Sequence, residues 1–182
     1  MRTELLLAGS GGRGVILAGA IMAKAASKAG LNAAYGAIYG AEVRGGLTAA
    51  EIVVCDHQVD FPFPERPHLT FAFDQKSYHR YVLEHEPRKL LLLDGDYIQT
   101  EKEHTVPVIR VPFTEMASDK LGRPTVANII VVGFIAGLTG LFQHEHGLDA
   151  LREDVSEKFF QMDATALSLG FDKAKDYVQH WK

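Results

Sequence analysis

The chain has a single cysteine, Cys55. One thiol excludes a disulfide framework, and it excludes a cysteine-ligated iron–sulfur cluster held by this chain alone. Cys55 closes an apolar run and reads as a small buried hydrophobe rather than a nucleophile. Positive charge is not in excess: 19 Lys and Arg stand against 23 Asp and Glu, a formal net charge of -4. That balance carries no nucleic-acid footprint. Long hydrophobic runs are also scarce. The opening Met1-Arg2-Thr3-Glu4 leads into an apolar run too short for a secretory leader, so the cytoplasm is the expected location. Residues 126–142 hold no charge, but they include Asn128, Thr139 and the glycines Gly133, Gly137 and Gly140. That stretch sits at the lower limit of the roughly 20 residues a membrane span needs. No membrane partner is expected, and the stretch reads as a helix buried in the domain or against a partner subunit.

What remains is an ordinary globular composition. With 182 residues, 47% hydrophobic and 23% charged, the chain fits one domain over residues 1–182 with a core of real size. No internal repeat or low-complexity segment interrupts it.

Two glycine-dense loops dominate the N-terminal third. The first, Gly9-Ser10-Gly11-Gly12-Arg13-Gly14, lies between a short apolar strand and an alanine-rich helix reaching Ala29. Its Gly-x-Gly-x-x-Gly spacing is that of a dinucleotide turn: tight reversal, close backbone approach, close helix–strand packing. The amides opening the helix form an anion site, helped by the helix dipole. Arg13 in that first turn calls for an anion or carboxylate nearby. A nicotinamide dinucleotide is disfavoured, because no acid follows at the end of the second strand before Glu42. A close turn with no nucleotide in it remains the competing reading. The second loop is Tyr39-Gly40-Ala41-Glu42-Val43-Arg44-Gly45-Gly46. Gly45 and Gly46 permit a tight turn that presents Glu42 and Arg44, and the Arg44 fork suits a phosphate or carboxylate. The alternative is that Glu42 and Arg44 form a salt bridge or a subunit contact. The candidate cofactor-binding set is therefore Gly9, Gly11, Gly12, Arg13, Gly14, Tyr39, Gly40, Glu42, Arg44, Gly45 and Gly46.

Further along, residues 32–35 read as a short strand and 47–55 as a longer one. Residues 56–67 form an extended loop, since Pro62, Pro64 and Pro67 forbid regular structure. Strands follow at 69–73, 90–93 and 106–111, the last towards an edge because of Pro107. Helices are expected at 75–83 and 114–120, with closing amphipathic helices at 148–158 and 164–181. This alternation predicts an α/β, Rossmann-like fold: a largely parallel sheet, helices on both faces and a helical C-terminal part. His144 and His146 lack a supporting helical spacing and read as part of a solvated turn, so no metal ligand set is assigned.

Taken together, the two loops resemble those of the gamma subunit of the 2-oxoacid:ferredoxin oxidoreductases. That family carries a GxGGQG turn, a small-residue helix and a YGPExRGG loop entering a strand. The resemblance continues through Val59-Asp60-Phe61-Pro62, Ala72-Phe73-Asp74-Gln75, Asp94-Gly95-Asp96 and Ala127-Asn128, so it covers most of the chain. Ile16-Leu17-Ala18-Gly19 is closest to the 2-oxoglutarate branch, with the pyruvate and ketoisovalerate branches next. The sequence departs from the pattern at Ser10, at Arg13 in place of the usual glutamine, and at Ala41 in place of proline. The resemblance implies a multisubunit enzyme that oxidatively decarboxylates a 2-oxoacid to an acyl-CoA and passes electrons to ferredoxin. Thiamine diphosphate, Mg2+ and [4Fe-4S] clusters would then sit in alpha, beta and ferredoxin-like delta subunits. Coenzyme A would bind at a shared interface, and no catalytic residue would belong to this chain. A homodimer is one state open to the isolated chain. The competing classes are a free-standing nucleotide-binding oxidoreductase and a purely structural assembly module.

Overall fold

The computed structural model describes residues 1–40, 46–83, 86–95, 98–100 and 102–181. Strand β1 (Arg2–Ser10) enters the interior at once, because Leu5, Leu6, Leu7 and Ala8 are apolar on both faces. Helix α1 (Val15–Lys28) follows, then β2 (Asn32–Tyr39), β3 (Leu47–Cys55), β4 (Leu69–Ala72), α2 (Gln75–Tyr81), β5 (Leu90–Asp94), β6 (Val108–Val111) and α3 (Phe113–Leu121). A single turn of 3-10 helix at Pro124–Val126 leads into α4 (Ala127–Thr139), α5 (His144–Asp154) and α6 (Glu157–Ala174).

The strands form one six-stranded sheet in the order β2-β3-β1-β4-β5-β6. From β1 to β6 every pairing is parallel, as the alternation of strands and helices predicts. The β2–β3 arm amends that expectation, for β3 runs antiparallel to both of its neighbours. The reason is chain length. Residues 40–46 alone join β2 to β3, whereas a parallel connection needs roughly a dozen residues or more. The fold is Rossmann-like on a mixed sheet.

The two faces are unequally covered. Leu5, Leu7, Ile52, Phe71 and Leu92 point to the side that holds α1, α3 and α4, and there they build the main core. Alternate residues on the other side, Ala72, Leu91 and Leu93, meet Tyr78 of α2. Period-two alternation therefore sorts one strand set between a thick helical layer and a thin one.

Helix α4 is buried at nearly every position. Full burial of a side chain such as Ile130 or Phe134 contributes about 1.5–3 kcal/mol. Gly133 and Gly170 let α4 and α6 touch backbone to backbone: a Cβ on Gly133 would lie 2.1 Å from the Leu167 carbonyl oxygen, and one on Gly170 2.1 Å from that of Ile130. Among the described residues no helix is long and apolar enough to cross a membrane.

Some boundaries differ from expectation. Strand β2 runs on to Tyr39, because pairing with β3 extends it past Tyr35. Residues 143–147 are not a solvated turn. Gln143 caps α5, and its amide donates to Nδ1 of His146 at 3.2 Å, so the two histidines open a helix. The helix expected at 148–158 is broken, since Val155 and Ser156 adopt extended backbone between α5 and α6. Helix α6 begins at Glu157, ahead of the expected residue 164, and a 3-10 turn at Val178–His180 follows it.

Candidate functional site

The glycine turn sits at the carboxyl end of β1, against α1. Strand pairing with β3 carries β1 through Gly9 to Ser10, so Gly9 belongs to the strand rather than to the turn. The reversal falls on Gly11 and Gly12, both exposed, and on Arg13, which is half-buried. Gly14 caps α1 with φ of 70°, in the left-handed region that favours glycine. A Cβ there would also meet the Asn128 side-chain nitrogen at 2.4 Å. The third glycine of the motif thus serves a contact with α4, not only helix–strand packing. Asn128 uses that closeness, since its amide nitrogen donates to the Gly14 carbonyl at 3.1 Å.

The second loop closes onto the first. Gly11 donates its amide hydrogen to the Gly46 carbonyl at 2.8 Å, and Gly40 donates to the Leu47 carbonyl at 2.7 Å. Gly46 is buried, Gly40 is exposed, and Tyr39 is 68% exposed at the end of β2. Glu42, Arg44 and Gly45 lie outside the described residues. The structure therefore brings Gly9, Gly11, Gly12, Arg13 and Gly14 together with the Gly40 and Gly46 flanks of the second loop.

Asp74, Asp94 and Asn128, which no local pattern singled out, hold this arrangement. Asp74 caps α2, accepting the Ser77 amide at 2.9 Å on one carboxylate oxygen and the Ser10 amide at 2.8 Å on the other. Burial pushes the Asp74 carboxyl up, but the amide hydrogen bonds from Ser10 and Ser77 prevail and hold it below its ordinary value. Thr114 donates its hydroxyl to fully buried Asp94, and its amide donates to the same carboxylate at 3.0 Å. The Thr114 hydroxyl oxygen also accepts from Arg13 at 3.5 Å, and the Arg13 guanidinium lies 5.9 Å from the centre of the Phe73 ring. The only sequence signal for Asp74, Asp94 and Asn128 was that they fall in the stretches carrying the family resemblance.

A cleft of about 270 Å³ opens beside the turn, between Gly12, Arg13, Phe73 and Thr125. The first turn of α1 has no side-chain cap and no acidic residue. Its leading amides and the Arg13 cation favour an anion at this spot. Among the described residues no cluster of three or more His, Cys, Asp or Glu is arranged to hold a metal ion.

Comparison with known proteins identifies the family and the fold. The family described as pyruvate ferredoxin/flavodoxin oxidoreductase matches residues 4–173. A 2-oxoglutarate synthase subunit KorC from Methanocaldococcus jannaschii is 34% identical over 179 residues, covering 97% of this chain and 96% of the relative. The crystal structure of a keto/oxoacid ferredoxin oxidoreductase gamma subunit from Geobacter sulfurreducens superposes with a TM-score of 0.83 at 30% identity, covering 97% of this chain and 98% of that one. A 2-oxoglutarate:ferredoxin oxidoreductase from Magnetococcus marinus shares the fold, with a TM-score of 0.81 at 20% identity; the match covers 98% of this chain but 31% of that longer chain. With its two glycine loops joined at the end of β1, the chain belongs to the pyruvate ferredoxin/flavodoxin oxidoreductase family, whose members among these relatives are subunits of oxoacid:ferredoxin oxidoreductases.

Proposed function

We propose that the chain is the gamma-type subunit of a cytoplasmic 2-oxoglutarate:ferredoxin oxidoreductase, working with alpha, beta and ferredoxin-like delta subunits. The observation that carries the reading is the meeting of the two glycine loops through Gly11 and Gly46. The start of α1 and the Gly46 end of the second loop are thereby held together as a unit, and in this reading that loop meets a partner subunit. In this reading the unit receives the phosphate end of coenzyme A, which captures the acyl group when bound.

The residues fit that ligand better than the other groups the reaction needs. Uncapped amides at the start of α1 and the Arg13 guanidinium suit a phosphate, and in this reading Arg44, which lies outside the described residues, is assigned to the same ligand. Cys55 is fully buried in the sheet and is the chain's single thiol, so the iron–sulfur clusters belong to other subunits. Thiamine diphosphate and Mg2+ are likewise assigned to the partners. The contribution of this chain is to bind, to orient and to exclude water at a shared surface.

The test uses complexes reconstituted with parent or Arg44→Ala chain and titrated with coenzyme A. The Arg44→Ala complex is expected to bind coenzyme A more weakly by roughly 1.5–3 kcal/mol, the range for a hydrogen bond to a charged group. Loss of assembly with unchanged affinity in the intact fraction makes Arg44 an interface residue instead. Turnover of 2-oxoglutarate, coenzyme A and a viologen dye by the isolated chain would overturn the subunit reading altogether.

A further inference from the structure

The two edges of the sheet are finished differently. Strand β6 closes one edge with only four residues, Val108–Val111, between Pro107 and Pro112. A short strand bounded by prolines is a poor template for another chain. Strand β2 closes the other edge with eight residues, and it contains no proline and no charged side chain. None of the usual protections of an edge strand is present in it.

The ladder shows which of its polar groups face outward. The Gly40 amide donates to the Leu47 carbonyl, and across β3 the Asp56 amide donates to the Met1 carbonyl. Hydrogen-bonded and non-hydrogen-bonded pairs alternate in an antiparallel ladder. Both bonds therefore turn the amides and carbonyls of Asn32, Ala34, Gly36 and Ile38 towards β3. Those of Ala33, Tyr35, Ala37 and Tyr39 point away from it, and among the described residues no strand lies beyond them. Exposed aromatic rings gather along the same edge. Tyr39 ends the strand, and Phe61 and Phe63, each 50% exposed, lie on its thin-layer face. A Cβ on Gly36 would lie 3.4 Å from the Phe63 ring, and Phe61 packs edge-on to Phe63 with ring centres 6.0 Å apart. Exposed aromatic surface beside a bare edge marks an interaction site.

The strand itself narrows the occupant. Selection of a different partner calls for charge or bulk that excludes self-pairing, and β2 carries neither along its edge. A two-fold axis normal to the sheet joins β2 to its own copy with residues of one face opposite each other. Centred on Gly36, this register engages all four outward residues, Tyr35 with Ala37 and Ala33 with Tyr39. Centred on Tyr35, it leaves Tyr39 without a partner inside the strand. The Gly36 register also places the smallest residue at the axis, where facing Cα atoms approach to about 4.5 Å. The two Phe63 rings, each over its own Gly36, then meet across the axis and leave water. Aromatics of this exposure supply roughly 300 Å² per copy, so the contact belongs to the small class of interfaces and is concentration-dependent.

We propose that β2 is a self-association edge, pairing antiparallel with β2 of a second copy of this chain in the register that sets Gly36 opposite Gly36. Sedimentation equilibrium of the full chain over a concentration series tests it, with parent, Ala37→Pro, Phe63→Asp and Phe63→Lys. The parent is expected to dimerise as concentration rises. Ala37→Pro removes one outward amide, and each Phe63 variant sets two like charges at the axis; each is expected to raise the dissociation constant about tenfold or more. An equimolar mixture of the Phe63→Asp and Phe63→Lys chains is expected to recover the dimer, because opposite charges then face each other. Should Ala37→Pro fail to fold by circular dichroism, the Phe63 pair decides alone. A parent that stays monomeric throughout overturns the proposal, as do folded variants that dimerise like the parent or a mixture that recovers nothing. If the parent is monomeric and Ala37→Pro no longer enters complexes with the other subunits, self-pairing falls and the edge belongs to one of them.

Discussion

Gly11 and Gly46 are joined by a 2.8 Å amide-to-carbonyl hydrogen bond, which makes the turn after β1 and the loop before β3 one piece of backbone. A change that displaces either loop is therefore transmitted to the other.

Gly14→Ala tests how the turn after β1 is built. The substitution meets both a φ of 70° and the Asn128 side chain at 2.4 Å. A strained left-handed residue costs on the order of 1–3 kcal/mol before the contact is counted. Chemical denaturation should show a loss of at least that size, and Gly14→Ala combined with Asn128→Ala should recover part of it. An unchanged midpoint for Gly14→Ala would show that this turn is not built as described.

The contact between α4 and α6 gives a second test. Gly170→Ala places a methyl group 2.1 Å from the Ile130 carbonyl oxygen and 2.6 Å from the Phe134 nitrogen, where neither backbone can yield. Gly137→Leu meets the Ala174 side chain at 2.9 Å and the Phe171 ring at 3.2 Å, a lesser conflict. Overpacking of that kind costs about 1–3 kcal/mol. The expected order of melting temperatures is parent, then Gly137→Leu, then Gly170→Ala; the reverse order of the two variants would contradict the backbone contact.

Asp74 supplies an acid-sensitive latch. Its carboxyl is held below the ordinary value of 3.8 by the Ser10 and Ser77 amides, against the upward push of burial. A depressed folded value contributes stability that is present above the unfolded value and lost as pH falls through the folded one. Stability should therefore decline below about pH 4, the ordinary range for Asp. Asp74→Ala should cost about 1 kcal/mol or more at neutral pH, the usual loss of a helix cap, and should flatten this acid limb. Denaturation midpoints from pH 2 to pH 7 measure both effects.

Asp163 has the opposite sign. Burial raises its carboxyl, so its share of stability is complete below the unfolded value and is lost as pH rises through the folded one. In the chain without ligand, Asp163→Leu should be more stable than the parent at neutral pH, by about 1–2 kcal/mol, with the advantage shrinking in acid. A less stable variant at pH 7 would mean that the carboxylate has a partner in the fold.

The local signals in the sequence were decisive where the determinants lie close together along the chain. The strand Leu47–Cys55 was read to the residue, because an apolar β-branched run ends there beside a proline-rich loop. Helix α1 was legible from its alanines and the glycine ahead of it, and the family from two glycine motifs at their characteristic separation. The histidines opening α5 were misread because Gln143 and His146 are unusual cap residues. Glu42 and Arg44, read from the second motif, lie outside the described residues. Only the tertiary structure decided that β3 inserts antiparallel beside β1, that Asn128 fills the space a Gly14 side chain would need, and that Asp74 pins Ser10. It also set Asp163 in the wall of a cleft beside the same turn. Each of these joins residues far apart in the chain, where neither periodicity nor propensity carries information and packing alone determines which groups meet.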